Sequence, residues 1–304
     1  MKTSRISRLF VTAMLLLVGV TAMAQDSYRE ALKDYINLSQ NQMAEKMQAQ
    51  IHQLNPMFFE YKQDVDFDQL ANRYINERFG VFMADMLQDQ FKENITESDL
   101  RKMTAMLTTP QGNAFREHTD TWSAQFEQVY ENGDIGQSLN AMMEGKPVAP
   151  IVRNSDIPES YAQKFMQYFD ANRYVDKMNA VVNGVVNQMS AMMGGELPDS
   201  VTSKIDLATS KLLEWNQTNM GTLAMNSAYG IMTEADLDFF ATLYAQESYR
   251  NALDASSKMS ENVMKTGFTI ILDYVDWMKT QGLSLSRMGE GSVESLKEAI
   301  ANME

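Results

Sequence analysis

The sequence predicts an all-α fold: two tandem, duplicated small helical bundles behind a cleaved signal peptide. Three observations carry that expectation. Apolar residues recur at three- and four-residue spacing along most of the chain, which marks one buried face per helix. No sustained two-residue alternation is present, and no Asn-Gly or Asp-Gly hairpin separates apolar runs. One segment is also written twice. Asn94-Ile95-Thr96-Glu97-Ser98-Asp99-Leu100 recurs as Ile231-Met232-Thr233-Glu234-Ala235-Asp236-Leu237, 137 positions later. The match continues as spacing, with Met103, Met106 and Leu107 answering to Phe240, Leu243 and Tyr244. Upstream, Ala44-Glu45-Lys46-Met47 answers to Val175-Asp176-Lys177-Met178 at a slightly different offset. A repeat of about a hundred residues is a duplicated domain rather than a solenoid unit.

Residues 1–24 read as an export signal. Lys2, Arg5 and Arg8 are its positive start, Leu9 to Val20 its apolar stretch, and Ala22-Met23-Ala24 a small-x-small cleavage site before Gln25. The stretch is too short to span a bilayer. No Cys follows the expected cut between Ala24 and Gln25, so a lipoprotein anchor is not expected and the chain reads as periplasmic or secreted. The most apolar later run, Val263 to Met278, carries Lys265, Asp273 and Asp276, and such charges are costly in hydrocarbon. The mature chain is therefore not expected to be an integral membrane protein.

The mature helices follow in order. Asn55-Pro56 ends the first. Leu70, Tyr74, Ile75, Phe79, Phe82, Met83, Met86 and Leu87 make one apolar stripe. Thr96 reads as an N-cap with Asp99 three residues on, a capping box with Asp in place of Glu. Lys146-Pro147-Val148-Ala149-Pro150 through Asp156-Ile157-Pro158 carries three prolines and reads as an extended linker. Met178, Val182, Val185, Met189 and Met192 form a second stripe, and Val201, Ile205, Ala208, Leu212 and Trp215 a third, with Gly194 to Pro198 breaking the chain between them. Thr233 with Asp236 repeats the capping box. A short amphipathic helix, Val293 to Met303, closes the tail. The expected domains are 25–145 and 159–283, joined by linker 146–158 and followed by tail 284–304, each domain about four helices.

The repeated segment resembles the domain of unknown function 2059 family of exported bacterial helical domains. Ile95-Thr96-Glu97-Ser98-Asp99-Leu100, then Met103, Leu107, Thr108-Thr109-Pro110-Gln111-Gly112 and Phe115, follow its Phe-Thr-x-x-Glu-Leu start and its Ser-Pro-x-Gly turn. Thr96, Leu100, Pro110 and Gly112 match; Ile95 and Asp99 depart from the pattern. The second copy keeps Thr233, Asp236, Leu237 and Tyr244, but has Glu247 and Tyr249 where Pro and Gly would stand, so its turn is expected to be continuous or differently shaped. The resemblance implies a small helical domain in the envelope and no catalytic residue. Its motif positions read as caps, core and turn.

The remaining chemistry is sparse. There is no Cys, so no disulfide, thiolate metal site or cysteine nucleophile. Removing Lys2, Arg5 and Arg8 takes 26 basic residues to 23 against 40 acidic ones, a formal net charge of −17. Such a chain repels phosphate backbones, so no nucleic-acid partner is expected. His52 and His118 are the only histidines. Glu117, His118 and Asp120 diverge on a helix, which leaves His118 reading as part of a solvated face and no metal site. No nucleophile elbow, zincin motif or P-loop is present. Methionine is the anomaly, 25 in all. Pairs such as Met83 with Met86, Met103 with Met106, and Met189 with Met192 and Met193 read first as packing, then as an adaptable apolar groove, then as thioether ligands for copper. No catalytic, cofactor-binding or metal residues are assigned. The expected role is non-enzymatic binding or scaffolding in the cell envelope, toward a protein or peptide partner. A carrier of a small apolar ligand or lipid, or of copper, is the alternative, and an enzyme of unrecognised type ranks last.

Overall fold

The computed structural model describes residues 27–39, 55, 58–60, 65–132, 135–180, 182–183, 199–261 and 263–301. Among these, residues 27–39 form helix α1. The next elements are α2 (Phe67–Arg73), α3 (Gly80–Lys92), α4 (Glu97–Leu107), α5 (Pro110–Asn132) and α6 (Ile135–Met143). After a non-helical stretch come α7 (Glu159–Ala171), α8 (Asp199–Ala228), α9 (Glu234–Tyr244), α10 (Glu247–Glu261), α11 (Val263–Thr280) and α12 (Arg287–Ala301). The fold is all-α, with only isolated bridges such as Phe59 to Leu285 outside helices among the described residues. No described helix is long and apolar enough to cross a membrane. The signal segment with Ala24 and Gln25, residues 44–47, Pro56, Gly194 to Pro198, and Met189, Met192 and Met193 lie outside the described residues.

The first apolar stripe runs through an irregularity. Between α2 and α3 the helix opens into a π segment, Tyr74–Phe79. A π turn is wider than an α turn, so residues five apart share a face. Tyr74 and Phe79 are five apart and both buried. Met83, Leu87 and Phe91 then return to α spacing and are also buried. Helix α1 lies along this assembly. Tyr28 donates its hydroxyl to the Ile95 carbonyl at 3.2 Å, Arg29 forks onto Asp85, and Tyr35 meets Phe91 with ring centroids 6.2 Å apart. Gly80 leaves room for the Asn37 side chain, since a Cβ there would run into its amide.

The chain divides into two compact units, and they do not follow the expected domain limits. Among the described residues, one unit holds those up to Met106 together with Trp277–Ser286; the other holds those between Leu107 and Asp276 and those from Arg287 onward. The physical reason lies in which faces are apolar. The inward residues of α5 include Phe115 and Trp122, and their aromatic partners are on α7 and α9 and at Tyr174. Helix α5 therefore belongs with the second repeat's helices and leaves α4 behind. In the first unit, Trp277 at the end of α11 sits edge-on to Tyr74 at 5.6 Å. There Glu60 N donates to Ser284 O at 3.2 Å and Ser286 N to Phe58 O at 2.9 Å. Linker 146–158 also departs from expectation, because it runs within the second unit against α8.

The second unit is centred on Trp122, which is fully buried. Its ring meets Phe165, Tyr168 and Tyr174 edge-on at 5.5, 5.7 and 5.4 Å. Its indole N–H is shared between Ala224 O at 3.2 Å and Ser227 Oγ at 3.0 Å, so the buried donor is satisfied on α8. Helices α5, α7, α8 and α9 pack pairwise around this point.

At the offset of 137 the helix limits repeat. Helix α4 spans Glu97–Leu107 and α9 spans Glu234–Tyr244, each of 11 residues. The following helices start at Pro110 and Glu247, again 137 apart. Core positions correspond as well: Met83 with Met220, Leu87 with Ala224, Phe91 with Ala228, Ile95 with Met232, Leu100 with Leu237 and Met103 with Phe240 are buried in both copies. Truncating either equivalent leucine, Leu100→Ala or Leu237→Ala, is expected to cost about 2–5 kcal/mol in the unit that holds it. Urea unfolding followed separately in each unit by hydrogen exchange checks this. Equal loss in both units from one substitution would contradict the division.

Candidate functional site

The two capping boxes are built alike and sit in different surroundings. In the first, Thr96 N and Thr96 Oγ1 donate to Asp99 Oδ2 at 3.2 and 2.6 Å, and Asp99 N donates back to Thr96 Oγ1 at 3.2 Å. These bonds stand at the surface and hold the Asp99 carboxyl below the usual carboxylate range. In the second, Thr233 N and Oγ1 donate to Asp236 Oδ2, both at 2.7 Å, and Asp236 N donates to Thr233 Oγ1 at 3.2 Å. Here the Asp236 side chain is only 3% exposed.

A third donor reaches that buried carboxylate. His118 Nδ1, from α5, lies 2.8 Å from Asp236 Oδ2. A carboxylate only accepts, so Nδ1 carries the proton and the ring is held in one tautomer and orientation. The sequence placed His118 on a solvated face. The structure corrects this: the ring is 36% exposed and bonded across 118 positions of chain. One turn further along α5 lies Trp122, so the same helix face brings first the imidazole and then the indole to the α8–α9 corner. Gln111 Nε2 adds a bond to Ala235 O at 3.3 Å. The first repeat's turn thus meets the second repeat's cap.

Tyrosines surround this point. The Tyr161 phenol is buried, and burial, with the Asp236 charge adding to it, pushes it well above its usual range. Its ring meets Tyr229 edge-on at 5.3 Å. The hydroxyls of Tyr168 and Tyr174 lie 3.0 Å apart, and burial pushes Tyr174 up to about 12. Burial raises Tyr161, Tyr168 and Tyr174 alike, which makes them poor bases: Tyr168 and Tyr174 share a hydrogen bond, and Tyr161 serves in packing.

The other motif positions serve helix ends and core. Leu100, Leu107 and Leu237 are buried. Pro110 opens α5, and Gly112 N donates to Thr109 Oγ1 at 3.0 Å. Tyr244 is partly exposed and stacks on Phe240 at 5.6 Å. The second copy's turn is not continuous: the helix breaks between Tyr244 and Glu247 as the first breaks between Leu107 and Pro110. Its substitute for the Pro-Gly turn is Arg250, whose Nη1 donates to Tyr244 O at 2.7 Å and Ala245 O at 3.0 Å. A guanidinium on the last carbonyls satisfies acceptors that a helix end leaves open and opposes its dipole. Arg116 does the same for Leu107 O at 3.2 Å. Of the paired methionines, Met83 and Met103 are buried and Met86 and Met106 half-buried. Among the described residues no group of His, Cys, Asp and Glu has metal-holding geometry.

Comparisons add no identity: no family model matches the chain, and no curated protein or solved structure matches it.

Three outcomes are expected. Thr96→Ala should cost about 1 kcal/mol. Thr233→Ala should cost more, and His118→Ala about 1–3 kcal/mol, because each strips a donor from a buried carboxylate. Denaturant melts of the three variants check the ranking. For Asp99 the folded state holds the carboxyl below its unfolded value. Its contribution is therefore complete above that unfolded value, near pH 4, and disappears as pH falls through the lower folded value. Asp99→Asn should flatten that acid limb of a stability–pH profile.

Proposed function

We propose that this chain is an exported, non-catalytic helical protein that binds or scaffolds a protein or peptide partner in the bacterial cell envelope. The observation that carries the reading is the His118–Asp236 pair. An imidazole oriented by a buried carboxylate is the geometry of a general base. Here, however, the same Asp236 oxygen also accepts both Thr233 donors, and the pair ties α5 to the first turn of α9. That is the work of a fastening between helices. The resemblance of the repeated motif to the domain of unknown function 2059 family supports the same reading, since its motif positions here are caps, core and turn.

The envelope location rests on residues 1–24, whose charge, apolar stretch and Ala22-Met23-Ala24 site follow the export pattern. Binding rather than carriage of an apolar ligand is supported by the methionines. Met83, Met103, Met220, Met225, Met232 and Met278 are buried as core, where their flexible side chains fill gaps between helices.

Expression with residues 1–24 in a Gram-negative host, then native and denatured mass spectrometry of the periplasmic protein, tests both parts. The expected denatured mass starts at Gln25, and the native mass carries no small-molecule excess. Retention of residues 1–24 in the cytosol would overturn export. A stoichiometric lipid or copper excess would replace the scaffold reading with a carrier.

A further inference from the structure

Linker residues 146–158 are held against α8 by side-chain amides that read backbone only. Ile151 N donates to Asn219 Oδ1 at 2.8 Å. Asn226 grips the linker twice: its Nδ2 donates to Val152 O at 3.0 Å, and its Oδ1 accepts from Asn154 N at 2.9 Å. Asn219 is 95% buried, so its amide is fixed in place. The two asparagines are seven apart on α8, which separates them by about 10.5 Å along the helix. Ile151 and Asn154 are three apart in non-helical chain, which spans at most about 10 Å. The register of the helix therefore matches that of an extended strand laid parallel to it. None of the three bonds uses a linker side chain. The linker's own specificity comes from apolar residues: Ile151 is half-buried and Ile157 is buried, while Val152 points out and is 79% exposed.

We propose that Asn219 and Asn226 form a clamp for an extended, proline-containing peptide segment of a partner protein, and that residues 151–157 occupy this clamp in cis until the partner displaces them. The occupant's chemistry is set by the segment now in place. It is an extended backbone over 151–154, offering a donor, an acceptor and a second donor at the positions of Ile151, Val152 and Asn154, followed by a turn in which Ile157 N donates to Asn154 O at 3.1 Å and which carries the apolar side chain of Ile157. Prolines on either side, as at Pro150 and Pro158, keep the chain out of a helix and leave its backbone groups free for the amides. The first repeat has Phe82 and Asp89 at the equivalent positions, so the clamp belongs to the second copy alone. A tethered occupant competes at a millimolar effective concentration, which makes the cis segment a brake on partner binding. This rests on the reading of the chain as a binding protein and names the class of its partner.

Two measurements on the full mature chain test it. Hydrogen exchange should show the Ile151 and Asn154 amides opening well below the free energy of global unfolding. If they exchange only with global unfolding, the segment is a fixed part of the fold and the proposal fails. A fluorescein-labelled peptide of sequence 146–158 is then titrated into wild type, Ile151→Ser/Ile157→Ser, and that variant with Asn219→Ala and Asn226→Ala added. The serine variant should bind at least about tenfold tighter than wild type, by release of the tethered competitor, and the added alanines should abolish the gain. No binding to a folded serine variant, or binding indifferent to the asparagines, overturns the clamp. These titrations do not depend on cellular location, so failure here leaves export and scaffolding to stand or fall on the mass measurements.

Discussion

The arrangement of the second unit depends on where helix α9 starts and in which rotation. The Thr233–Asp236 cap fixes both, because its reciprocal bonds close only when the helix begins at Glu234. From that start, Leu237, Phe240 and Leu243 fall on one face and reach the core. A carboxylate buried to this degree needs compensation beyond one threonine. His118 supplies it, and in doing so fixes α5 against the α8–α9 corner. With α5 set, Trp122 finds its two acceptors on α8 and its aromatic neighbours at Phe165, Tyr168 and Tyr174. The aromatic centre of the unit follows from one capped helix end.

The two copies show what a motif holds constant and what it releases. Both keep the Thr-x-x-Asp cap, the 11-residue helix and the break after it. The means of ending the helix differ. The first copy uses Thr109, Pro110 and Gly112, with Thr109 as the next N-cap and Arg116 on the last carbonyl. The second lacks that turn and relies on Arg250, which bonds two terminal carbonyls and lies over the Tyr244 ring at 5.9 Å. The helices are separate here without Pro and Gly, and a cation satisfies the carbonyl acceptors at the break. The burial of the cap differs too. Asp99 faces solvent with Lys102 near it, whereas Asp236 faces α5 and its histidine.

Periodicity made the helices legible, since a stripe at 3.6-residue spacing is a local property of sequence. The caps at Thr96 and Thr233 are legible for the same reason: four consecutive residues contain the whole interaction. What depended on distant pairing was not. From sequence His118 reads as solvated, because its partner is 118 positions away and neighbours on its own helix give no sign of it. The prolines of 146–158 mark it as non-helical, but nothing in the segment points to the asparagines that receive it. Asn219 and Asn226 are polar residues on a helix and carry no periodic signal of burial. The unit boundary is not legible in sequence because aromatic residues on α5 fit either repeat by hydropathy, and only the location of their partners decides between them. The π segment could have been suspected from the five-residue step between Tyr74 and Phe79, a spacing that α geometry places on diverging faces.

The linker shows how a helix accommodates a chain with few hydrogen bonds of its own, such as Ile157 N to Asn154 O at 3.1 Å. A proline-containing stretch lacks regular internal bonds, and its free N–H and C=O groups need partners wherever they are shielded from water. A neighbouring helix has no backbone groups to offer, because its own are paired along its length. Side-chain amides are the remaining source, and Asn carries one donor group and one acceptor on a short stem. Two Asn residues at a seven-residue step are enough, because two turns of helix and three residues of extended chain cover the same distance. Asn226 meets a carbonyl and an N–H two residues apart, as a paired strand would, while its own helix stays intact. An apolar seam at this place would have left Ile151 N, Val152 O and Asn154 N without these partners. The asparagines on α8 are therefore part of what holds the segment against the second unit.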